Sequence, residues 1–117
     1  MEKKFFLSFV LMFVLVFMLT SFNVSAQDIA KTNPKNTKVL TDTLGVRIIK
    51  VTLAPGEELA MHSHPVWMIY VIESGQLTGE NLKAGTYAHG SPTKHSLKNT
   101  GTTTCVFLDI EIKDRKE

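Results

Sequence analysis

All four histidines of this 117-residue chain fall between positions 62 and 95. His62 and His64 stand two apart in an extended run. On a strand both point to one face, with Cα atoms ~6.6 Å apart. Imidazole nitrogens bind a divalent ion at ~2.1 Å, and two rings at this spacing can lean onto the same ion. A His-x-His pair taken alone is equally a pair of core or surface histidines, so its surroundings decide. His89 lies six residues before His95. It reads as a rim histidine, with a fourth metal ligand or a proton shuttle as its other use. Trp67, Met68 and Tyr70 follow the pair closely enough to wall a cavity beside it. Core packing explains Trp67 and Met68 equally well. Tyr70 alternates in phase with Met68 and either brings its hydroxyl to the site or fills the interior. Glu73 and Glu80, near turns, read as solvated, and Asp109 as salt-bridged or solvated.

Histidines placed this way need strands to hold them. Leu44, Val46, Ile48, Val51 and Leu53 form a β-branched, alternating run that ends at Pro55-Gly56. Residues 58–62 form a short second run, stopped by Pro65. The stretch 67–72 is apolar and closed by Ser74-Gly75. Residues 76–82 read as a short polar strand before Ala84-Gly85. Residues 86–88 and 95–97 flank a Gly90-Ser91-Pro92 corner. The final stretch, 104–112, alternates cleanly. Val106, Leu108, Ile110 and Ile112 take one face; Cys105, Phe107, Asp109 and Glu111 take the other. No sustained 3.6-residue apolar period with helix caps follows the N-terminal region. Turn signals recur every ~8–12 residues, the spacing of an all-β sandwich or barrel.

With these elements laid out, two stretches resemble the paired motifs of the cupins. Gly56-Glu57-Glu58-Leu59-Ala60-Met61-His62-Ser63-His64, closing at Gly75, looks like the first motif. Gly85 through His95-Ser96-Leu97-Lys98-Asn99 looks like the second. The likeness runs from about Val46 to Lys113. It implies a cupin-type double-stranded β-helix, a jelly-roll barrel, and it carries His62, His64 and His95 over as metal ligands. The first-motif glutamate is missing: its place falls near Met68 or Ile69, and counting back from Gly75 gives Met68. The second motif has Ser91-Pro92-Thr93 in place of Pro-x-Gly, and the interval between Gly85 and His95 is one residue short. Within the superfamily, the three-histidine pattern resembles the sites of some iron-dependent dioxygenases. Small cupins of this kind also resemble dimers.

The start of the chain has the order of a secretory signal peptide. Lys3 and Lys4 precede an apolar run, 5–19, and Val24-Ser25-Ala26 offers a cleavage site. At about 15 residues the run is short of the ~20 that a spanning helix needs. Residues 1–26 are therefore expected to be removed, 27–40 to form a flexible leader, and 41–117 to form the cupin domain. That places the mature chain in the periplasm or outside the cell, without stable membrane insertion. Cys105 is the one cysteine, so no internal disulfide staples the domain, and its apolar run marks it as a buried small hydrophobe. The formal net charge of +2 comes from scattered Lys and Arg with no basic stripe, which argues against a nucleic-acid partner.

A histidine site suits one divalent transition metal, among Fe, Zn, Cu and Ni. Without a carboxylate ligand, the ion keeps its double charge and favours a small anionic ligand. Three readings stay open at this point. One is a metal-dependent dioxygenase or related enzyme acting on a small anionic substrate. The second is a non-catalytic cupin of the cell envelope that binds a small ligand or metal. The third is a barrel whose histidines have no job. The fold class does not choose among them.

Overall fold

The computed structural model describes residues 28–113. The expected signal peptide lies outside the described residues, as does Gln27. Among those described, the chain runs through α1 (Ile29–Thr32), β1 (Thr37–Thr43), β2 (Val46–Leu53), β3 (Glu58–His64) and β4 (Val66–Glu73). Then come β5 (Gly75–Leu77), β6 (Glu80–Leu82), β7 (Tyr87–Gly90), β8 (Thr93–Lys98) and β9 (Cys105–Ile112). One sheet has the antiparallel order β1-β2-β9-β4-β7. The pairs β3-β8 and β5-β6 form the other wall. Between the walls lies a core of Ile29, Ile49, Val51, Leu53, Leu59, Leu77, Cys105 and Phe107. Cys105 is fully buried, as its apolar run predicts.

The strand β9 is the spine. It pairs with β2 without a break from Val46↔Ile112 to Leu53↔Cys105, and with β4 on its other edge. Its two faces are used opposite to a simple hydrophobic reading. Cys105, Phe107, Asp109 and Glu111 point inward and are buried. Leu108, Ile110 and Ile112 take the outer face and stay partly exposed. Asp109, expected to be salt-bridged or solvated, is 1% exposed and pairs with His64 Nδ1 at 3.2 Å, so the salt-bridged alternative holds.

Two other expectations change. The flexible leader is ordered over residues 28–40. Asp28 caps α1, its Oδ1 accepting from Ala30 N at 2.8 Å and Lys31 N at 3.3 Å. Ile29 inserts into the core at 1% exposed, and Asn33 Oδ1 accepts from Ala60 N at 2.8 Å. β1 then adds an edge strand on β2. A polar stretch like this hides its structure from a periodicity search, because one buried isoleucine and two capping side chains fix it. Second, the polar strand expected at 76–82 is a hairpin. Thr78 and Gly79, at φ 49° and 83°, form its tight turn between β5 and β6.

Asn99 pins three segments together after β8. Its Nδ2 donates to Leu53 O at 2.8 Å and Thr103 O at 2.9 Å, and its Oδ1 accepts from Gly101 N at 3.0 Å. The asparagine that closes the second motif therefore serves the barrel, not the site.

Candidate metal centre

The inward aim of His62 and His64 depends on one extra residue. In β3 the register shifts between Leu59 and His62: Leu59 pairs with Leu97, and His62 pairs with His95. Three steps on β3 thus face two on β8, which is a β-bulge. Ala60 and Met61 are consecutive exposed residues, and Leu59, His62 and His64 are buried. Without the bulge, the alternation that buries Leu59 would bury Met61 and Ser63 and turn both histidines outward. Ala60, on the bulge, is held by Asn33, and its carbonyl lies 2.7 Å from His62 Nδ1.

His62, His64 and His95 meet at one end of the barrel. Their ring centroids are 4.6, 4.7 and 5.1 Å apart, and the rings stand at 85°, 68° and 85° to one another. The Nε2 atoms of His64 and His95 are 3.1 Å apart. Two nitrogens bound at right angles to tetrahedral angles around a shared ion lie ~3.0–3.4 Å apart. One ligand atom from each histidine falls within 4.8 Å of the others, so the group could hold a metal ion. Two rings are oriented by their other nitrogen. His62 Nδ1 donates to Ala60 O, and His64 Nδ1 donates to Glu111 Oε2 at 2.9 Å. Nε2 is thus the nitrogen each ring turns to a metal, which on His64 would take the place of the Nε2 proton; outer hydrogen bonds orient metal-binding imidazoles in this way. His62 Nε2 is buried with no hydrogen-bond partner. A buried nitrogen lone pair without a partner is costly, and a cation satisfies it. These residues fit a metal ion.

Behind His64 runs a charge relay. Glu111 Oε1 accepts from Arg47 Nε at 2.8 Å, and Arg47 Nη1 reaches Asp28 Oδ2 at 2.6 Å. Asp109 Oδ2 stands 3.2 Å from His64 Nδ1. Burial works against a charge on His64, but hydrogen bonding and attraction from Asp109 and Glu111 outweigh it and push the imidazole up to about 9. Burial acts unopposed on His95, and the charges of His62 and His64 add to it, pushing it down to about 4. Burial also lowers His62. Burial opposes ionisation of Glu111 and Asp28, yet both are held below the ordinary carboxylate range. His64 and Arg47 do this for Glu111; Arg47 and the α1 amides do it for Asp28. The sequence reading missed this relay. Its signal was faint: a charged pair on the inward phase of β9 facing an arginine on β2.

A cavity of about 230 Å³ opens beside the histidines. Its apolar walls include Ile29, Trp67, Ile69, Leu77, Leu82 and Phe107, and Glu80 and Asp109 add carboxylates. Trp67 lines it as expected. Met68 and Tyr70 do not line it. Their phase on β4 is the outer one, and Tyr70 is 45% exposed. It is Ile69 that faces inward, so the position of the missing glutamate shifts from Met68 to Ile69. His89 pairs with Met68 across β4 and β7, exposed on the outer side, away from the three histidines. Trp67 is locked in place: its Nε1 donates to Ser91 O at 3.0 Å. A Cβ at Gly90 would come within 2.6 Å of its ring, so that position must be glycine.

The architecture is that of the cupins. A cupin domain from Bordetella pertussis Tohama I superposes with a TM-score of 0.60 at 24% identity, covering 66% of this chain and 91% of that one. An RmlC-like cupin with a double-stranded β-helix fold, from Methanocaldococcus jannaschii, gives 0.57 at 20% identity, covering 66% and 78%. The cupin domain of an XRE-family transcriptional regulator from Enterobacter cloacae gives 0.52 at 23%, covering 68% and 96%. No protein-family model and no curated protein matches the sequence. The chain thus has the fold of a small cupin domain, with a histidine group that could bind metal.

Proposed function

We propose that this chain is an exported metal-binding cupin that uses one divalent transition metal on His62, His64 and His95 to act on a small molecule. The convergence of three imidazoles, one ligand nitrogen from each, beside a largely apolar cavity carries this reading. A metal held there supplies Lewis acidity and, for iron, dioxygen chemistry. The chain's own residues do the rest. Trp67, Ile69 and Phe107 exclude water and hold the ligand's apolar body. Glu111 keeps His64 oriented and Arg47 keeps Glu111 ionised. A cavity of 230 Å³ is below the ~300–1,000 Å³ range of drug-sized pockets, so the ligand is small. A dioxygenase acting on a small acid is the catalytic form of this proposal.

The test uses residues 27–117 purified without a nickel column. About one metal per chain is expected, lost in His62→Ala, with oxygen uptake when iron and small carboxylic acids are supplied. Metal without turnover would leave the second reading, a ligand- or metal-binding module of the cell envelope. Absence of metal after reconstitution with iron, zinc and copper would remove the metal-dependent readings and leave a barrel that binds a small ligand or has no site.

We also propose a homodimer. The outer face of the large sheet presents Val46, Ile48, Met68, Leu108 and Ile110 only partly buried, with Tyr70 45% exposed among them. A two-fold axis can place one such row of side chains on the same row of a second copy. Sedimentation should give a dimer that Ile110→Lys turns into monomers; a wild-type monomer at high concentration would overturn this.

A further inference from the structure

We infer that Asp109 is the anionic ligand of the metal centre, supplying from β9 the carboxylate that β4 lacks at Ile69. This rests on the metal-centre reading above. Asp109 lines the same cavity as the three histidines and is 1% exposed. Neither of its oxygens has a hydrogen-bond partner. His64 Nδ1 stands 3.2 Å away as its ion-pair partner and makes its closer contact, 2.9 Å, with Glu111. A buried carboxylate left without hydrogen bonds is among the costliest groups a fold can carry. Among the described residues, the other buried side-chain polar atom left without a partner is His62 Nε2. One orphan is an anion and the other a neutral lone pair. A divalent cation between them satisfies both at once.

The ladder explains how Asp109 takes this role. Ile69 and Asp109 are directly paired across β4 and β9, both on the inward face. Paired residues have Cβ atoms ~5 Å apart. A carboxylate on either strand therefore enters the cavity from nearly the same place. Glu111 is the competing candidate, since His64, Asp109 and Glu111 also lie within 4.8 Å of one another. It is already neutralised by Arg47 and occupied by His64 Nδ1. An ion between Glu111 and Asp109 would have to displace that proton and face the guanidinium. Asp109 has no arginine beside it and shares only the His64 imidazole, so its charge is the less compensated of the two. With it, the centre carries one net positive charge instead of two. A monoanionic ligand then suffices for neutrality, and the apolar walls select one with a compact apolar body.

Cobalt(II) is the probe, because its visible absorption reports coordination and its titration reports affinity without turnover. Wild type, Asp109→Ala, Asp109→Asn, and Asp109→Ala combined with Ile69→Glu are titrated. Circular dichroism is used to confirm that each variant is folded. Asp109→Ala should bind cobalt roughly 100-fold more weakly with an altered spectrum. Asp109→Asn should behave similarly. Ile69→Glu in the alanine background should restore affinity, because it returns a carboxylate across the same ladder rung. Wild-type affinity and an unchanged spectrum in Asp109→Ala would overturn the assignment. So would a weakened site with an unchanged spectrum that Ile69→Glu does not rescue, which would make Asp109 a positioning residue for His64. No cobalt binding by wild type would instead defeat the metal-centre reading itself.

Discussion

His64→Ala is expected to cost the chain both its metal and much of its stability, whereas His62→Ala should cost mainly the metal. His64 is 8% exposed and is the cation that faces Asp109 and Glu111. Its removal leaves two buried carboxylates with Arg47 on one of them and nothing on the other. Breaking a buried charge pair from one side costs ~3–5 kcal/mol. For a domain of this size that corresponds to a fall in Tm of roughly 15 °C or more. His62 makes one hydrogen bond, to Ala60 O, and carries no ion pair. Its replacement loses that bond and leaves a small cavity at a fully buried position, costing ~2–3 kcal/mol in the metal-free chain. Thermal melts of both variants after chelation, with metal content measured in parallel, check the contrast. Equal melting temperatures would refute the relay as described.

The metal-free chain should be most stable near pH 6.5 and lose stability on both sides. His64 titrates at about 9 when folded and ~6.5 when unfolded. The folded state therefore holds its proton more tightly. That contribution is complete below ~6.5 and disappears as pH rises towards 9. At ~1.4 kcal/mol per pKa unit it amounts to roughly 3 kcal/mol. His95 works in the opposite sense. Its folded value is about 4, so the unfolded chain takes the proton first as pH falls from ~6.5. Stability is lost over that window, by less, because solvent screens this partly buried ring. His62, also lowered, adds to the acid arm. Urea midpoints measured from pH 4 to 9 test the shape. A profile that keeps rising above pH 7 would contradict the charge assigned to His64. Loading with metal should flatten both arms, because the nitrogens no longer exchange protons freely.

The strands and the histidines could be read from the sequence, and the phases of two strands could not. Spacing put His62 and His64 on one face, but it was the bulge at Ala60-Met61 that chose which face, and a bulge leaves no mark in a hydrophobic pattern. The same blindness affected β4. Val66, Met68 and Tyr70 look as core-like as Trp67 and Ile69, because both faces of that strand are apolar. On β9 the more uniformly aliphatic row turned outward and the row with two carboxylates turned in. Patterning assigns apolar residues to the interior, so it fails where an interior keeps paired charges. The order of residues 28–40 escaped notice for a related reason. Capping and an arginine contact hold it, and these are pairwise features that become visible only once the partner strand is in place.

The bulge in β3 also has a bearing on how such a site is lost over time. Point substitutions at Ala60 or Met61 leave the histidines aimed inward, since both side chains face solvent. Deleting either residue would remove the bulge: two steps on β3 would face two on β8, with Leu59 still opposite Leu97 and His62 still opposite His95. Both histidines would keep their inward aim. What would turn them out to water is a strand of the present length that pairs without its bulge. The donor set would then survive letter for letter in the sequence while ceasing to exist in space. Among barrels of this type, intact histidines are thus an incomplete guide to metal binding. The length of the segment between the buried Leu59 and the first histidine, together with its pairing, carries the missing information.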